Sequence, residues 1–72
     1  MQQSHERGTG PLDPQEVEAL RAWVAEDGEA AVVVGTKLSR FAVARLLGGM
    51  NVHVGTRLAA REALARRRGG RR

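Results

Sequence analysis

A chain of 72 residues is a single domain with a thin core, because so short a chain buries only about 60% of its unfolded surface. It has no cysteine, which excludes disulfides, thiol catalysis and cysteine-held zinc, and no apolar run nears the ~18 residues of a membrane span. The net charge of +4 is unevenly placed: residues 1–35 carry two basic and seven acidic side chains, a balance of −5, whereas residues 36–72 carry ten basic and one acidic, a balance of +9.

Residues 1–12 mix Gln, Ser, Gly, Thr and Pro without an apolar period and read as a disordered arm. They lack the basic and apolar regions of a secretory signal, so a cytoplasmic protein is expected. Asp13-Pro14-Gln15-Glu16 is a helix start: Asp13 can cap, Pro14 suits the first helical position and Glu16 can close a capping box. This helix is expected to reach about residue 26 and to bury Val17, Leu20 and Val24. Trp23 falls on the shoulder of that stripe, and Glu16, Glu18, Glu26 and Asp27 face outward. Asp27-Gly28 breaks the chain. In the EAAVVVG run at 29–35 the valines favour a strand, yet no second strand of matching pattern exists to satisfy its backbone, so a two-turn helix is favoured.

Ser39 can cap a helix over about 40–47, and Gly48-Gly49 stop it, one glycine taking the left-handed conformation. MNVHV at 50–54 is an extended connector whose Met50, Val52 and Val54 alternate toward the core. Gly55-Thr56 opens a last helix reaching about residue 67, with Leu58, Leu64 and Ala65 on one face. Arg61 lies between them and would either snorkel to solvent or pair with an acid of the first helix. The expected fold is all-α: a bundle of four short helices over 13–67, with the disordered arm before it and a flexible basic tail at 68–72.

The charge asymmetry points to a polyanion held by the second half. A solvated basic tail is the plainer reading, but the final RRRGGRR holds only five of the ten basic residues. Placing 100° between successive residues of the third helix sends Val43, Leu46 and Leu47 to the core side. Phe41, Ala44, Arg45 and Gly48 then face outward, with Arg40 and Ala42 on the flanks. Small residues let a helix sink into a groove, an arginine can bond bidentately to guanine, and an apolar side chain can touch a thymine methyl. Arg40, Phe41, Ala44 and Arg45 are therefore the candidate base contacts. Phe41 has the competing role of packing on a neighbour. Candidate phosphate contacts are Lys37, Ser39 at the helix N-terminus, Arg57, and Arg66, Arg67 and Arg68. His53 is a further, isolated candidate. His5 and His53 stand apart without clustered carboxylates, so neither a metal nor another cofactor is expected.

The segment KLSRFAVARLLGG, continued by NVHVGTRLAAREALA, resembles the compact helix-turn-helix proteins of the Cro/phage-repressor (λ-repressor-like) type over about residues 29–65. The likeness lies in a Ser-Arg pair opening the recognition helix, then Val-x-Arg, a Gly-ended turn and a further helix after Gly-Thr. The chain departs from that pattern in carrying Lys37 where the sharp turn often has Gly, and Thr36 where an apolar residue is usual. The resemblance implies sequence-specific binding of double-stranded DNA as a homodimer on an inverted repeat, and transcriptional control as a repressor. No nucleophile–His–acid set and no P-loop is present, so an enzyme is not expected. No small-molecule ligand or membrane partner is indicated. The alternative is a protein-interaction module using Phe41 and the last helix. Single-stranded RNA binding lacks the stacking aromatics it needs.

Overall fold

The computed structural model describes residues 8–70 of the chain. Its elements, in order, are β1 (Thr9–Gly10), α1 (Pro14–Asp27), α2 (Glu29–Thr36), α3 (Arg40–Leu47), β2 (Val52–His53) and α4 (Val54–Gly70). Four helices carry most of the chain, but the fold is not purely helical. β1 and β2 pair antiparallel, with Thr9 opposite His53 and Gly10 opposite Val52. Two residues are too few to show a period of two, and the partners stand more than forty positions apart, so no local pattern betrays the pair.

That pairing also corrects the expected disordered arm. Residues 1–7 lie outside the described residues, but the rest of the stretch is ordered: β1 is in the ladder and Leu12 is buried in the core. A single apolar side chain that plugs a core from the flank leaves no periodic trace.

α1 starts as its sequence dictates. Pro14 takes the first turn, and the Asp13 amide donates to Glu16 Oε1 at 3.0 Å. Its buried residues are Val17, Leu20 and Trp23, with Val24 only half-buried, so Trp23 takes the central place expected of Val24. Gly35 of α2 explains why the indole fits. A Cβ on Gly35 would stand 2.6 Å from Trp23 Cη2, and glycine alone leaves that room. The valine run is helical: Val32 is fully buried, Val33 packs against the core edge and Val34 is 74% exposed, a one-sided burial that α2 achieves against α1, α3 and α4.

α4 begins at Val54, ahead of the expected Gly55-Thr56 start, and runs through Gly70 rather than fraying near residue 67. Its core face is Ala60, Ala63 and Leu64. Of the expected face, Leu64 packs in the core, whereas Leu58 is 52% exposed and Ala65 also faces outward. The small alanines let the helices approach closely. Arg61 Nε donates to Glu16 Oε2 at 2.7 Å, the pairing with an α1 acid that its position allowed. That hydrogen bond holds the Arg61 guanidinium above its ordinary pKa, against the opposing effect of burial. No described helix is long and apolar enough to cross a membrane.

Candidate nucleic-acid interface

α2 and α3 are eight residues each, joined by Lys37, Leu38 and Ser39. Each linking residue has a structural task. Thr36 is buried, and its hydroxyl is satisfied on both sides: it donates to the Val32 carbonyl at 2.8 Å and accepts from the Leu38 amide at 3.2 Å. The buried Thr36 hydroxyl is therefore an internal clasp between α2 and the turn. Lys37 sits at φ 63°, ψ 26°, the left-handed conformation, and its amide donates to the Val33 carbonyl at 2.9 Å. Leu38 packs against the core. Ser39 is extended, and its Oγ accepts from the Ala42 amide at 3.1 Å, an ordinary serine N-cap.

α3 is divided as its spacing requires. Val43 and Leu46 are fully buried and Leu47 is half-buried, whereas Arg40, Ala44 and Arg45 are exposed and Phe41 is 81% exposed. Its far end is anchored by a residue the sequence did not single out: Arg21 of α1 donates from Nη2 to the Leu47 carbonyl at 3.1 Å. Gly49, at φ 71°, supplies the left-handed stop.

Beside the outward face lies an open groove of about 270 Å³. Ser39, Phe41, Ala42 and Arg45 form one wall, and Asn51, Val52, His53 and Thr56 the other. No acidic side chain lines it. A larger hollow of about 550 Å³ lies between α1 and α4 and shares no lining residue with the groove. It contains Asp13, Glu16 and Glu26 together with Arg61 and Arg67, a mixed surface already cross-linked by ion pairs. The acids of α1 are thus kept from the groove.

The predicted phosphate contacts divide. Lys37, Ser39 and Arg68 are exposed. Arg66 is exposed, but one guanidinium nitrogen is engaged by the Gly35 carbonyl at 3.2 Å. Arg57 is half-buried with its guanidinium lying along β1, close enough that a Cβ on Gly10 would come within 3.2 Å of Nη1. Arg67 is committed elsewhere. It pairs with Glu26, lies 3.8 Å from Asp27 and sits over the Trp23 ring at 5.3 Å, with its side chain 17% exposed. The structure thus places this expected phosphate contact in the packing of α4 onto α1. Spacing alone could not separate Arg67 from its neighbours, because the partners that capture it are forty positions away. Asn51 and Thr56, unassigned by the sequence, face the groove.

No protein-family model, curated protein or solved structure matches the chain.

Proposed function

We propose that α2, the Lys37–Ser39 turn and α3 form a helix-turn-helix, and that α3 enters the major groove of double-stranded DNA. The protein is then a sequence-specific transcriptional regulator, a repressor acting in the cytoplasm as a homodimer on an inverted repeat. One observation carries this function: the solvent face of α3 presents Arg40, Phe41, Ala44 and Arg45, beside a groove lined by no acid. Arg40 and Arg45 are the base-reading side chains, with Phe41 and Ala44 allowing close approach and apolar contact. Lys37 and Ser39 at the N-terminal end of α3, together with Arg57, Arg66 and Arg68 of α4, address the phosphates.

Selection of bound fragments from genomic DNA tests the proposal. Wild type is expected to enrich a defined two-fold-symmetric sequence. Arg40→Ala combined with Arg45→Ala is expected to abolish that preference while leaving weak, salt-sensitive binding. Equal binding of all fragments by wild type, lost on adding salt, would rule specific recognition out. A second function, docking to another protein, draws on the exposure of Phe41 (81%) and Leu58 (52%). Under it, wild type would bind nucleic acid only non-specifically, and Phe41→Ala would abolish capture of the protein partner.

A further inference from the structure

The chain does not loosen after α3. The Gly48 amide donates to the Ala44 carbonyl at 3.0 Å, Gly49 to Leu46 at 3.1 Å and Met50 to Arg45 at 3.0 Å, which straps residues 48–50 onto the last turn of the helix. Val52, the next residue but one, is buried in the core and opposite Gly10 in the ladder. Asn51 is therefore the single residue between a helix staple and a strand, with ordered backbone on each side. It is exposed, it lines the groove together with Phe41 and Arg45, and its carboxamide has no hydrogen-bond partner among the described residues.

A carboxamide presents a donor and an acceptor in one plane, the complement of adenine N6–H2 and N7 at the major-groove edge. The arginine fork instead matches guanine O6 and N7. The ordered backbone on each side holds Asn51 in register with α3, so only its side-chain torsions remain to be ordered on docking. Resting on the duplex binding proposed above, we infer that Asn51 is a further base-reading residue, which recognises an adenine flanking the base pair contacted by Arg45. Arg45 and Asn51 then divide the readout: one prefers guanine, the other adenine. His53 and Thr56 complete the wall without adding a negative charge.

The test is selection of bound sites from a random duplex pool by the full-length chain, using wild type, Asn51→Ala and Arg45→Ala. Asn51→Ala is expected to lose roughly tenfold in preference for adenine at one position, with the remaining positions unchanged. Arg45→Ala is expected to lose a neighbouring guanine and keep the adenine. The thermal midpoint of Asn51→Ala should match wild type, because its side chain contributes nothing to the core. Identical preferences for wild type and Asn51→Ala would overturn the inference, as would an affinity loss that is uniform over all sequences. Should wild type select no sequence at all, duplex recognition itself fails, an outcome distinct from the loss of one reader.

Discussion

Gly35 and Lys37 stand two positions apart and are opposite cases of backbone and space. At Gly35 the space is taken: a methyl group would lie 2.6 Å from Trp23 Cη2 and 2.7 Å from Cζ2, and a buried indole cannot swing aside. Gly35→Ala would normally favour a helix by about 1 kcal/mol. Overpacking outweighs that, and a net destabilisation of about 1–3 kcal/mol is expected, measurable as a lower urea midpoint. At Lys37 the space is open but the backbone is strained, so Lys37→Gly should stabilise by about 1 kcal/mol. The same change removes a proposed phosphate contact, and the slope of log affinity against log salt should fall by about 1. A variant more stable yet weaker on DNA would separate the two roles of this residue. Ser39→Ala removes the cap on Ala42 and should destabilise by about 1 kcal/mol, read in the same denaturation experiment.

Among the elements, those with local signals were legible in the sequence. α1 announces itself through Asp13, Pro14 and Glu16, and α3 through Ser39 and the double glycine. The core side of α3 follows from the spacing of Val43, Leu46 and Leu47, and the exposed side carries the proposed site. Elements defined by distant partners were not legible. The β1–β2 pair depends on Gly10 meeting Val52, and Trp23 moves inward only because a glycine in another helix makes room. In α4 the packed face is shared by Ala60, Ala63 and Leu64, the alanines permitting close approach, while Leu58 stays outside. Leu58→Ala is accordingly expected to change the thermal midpoint little, whereas Leu64→Ala should destabilise by about 2–5 kcal/mol. Circular dichroism melts of both variants check this contrast.

Across the whole molecule, the charge asymmetry is not simply an acidic half and a basic half. Part of the basic half is spent internally: Arg61 on Glu16, Arg67 on Glu26 and Asp27, and Arg66 in part on the Gly35 carbonyl. The terminal arginines therefore differ in kind, which sequence composition cannot reveal. Ending the chain after Ala65 removes both the Arg66 and Arg67 contacts and should lower the thermal midpoint by several degrees. Ending it after Arg68 keeps every ion pair described for α4 and should lower the midpoint less than the shorter chain does. The Arg61–Glu16 pair raises an arginine pKa that is already far above neutrality, so the arginine's contribution is present at neutral pH and fades as pH rises into strong alkali.

Trp23 gives the molecule an intrinsic optical probe. It is the chain's only tryptophan, so its fluorescence needs no deconvolution. The indole belongs to α1, its edge meets Gly35 of α2, and a guanidinium from α4 stands over its face. Undocking of either neighbour would admit water or remove a nearby cation, and the emission would shift accordingly. Arg67→Ala should alter the emission maximum while α3, with its outward arginines, stays folded. A single emission spectrum therefore reports undocking of the helices around Trp23 separately from changes confined to the outward face of α3.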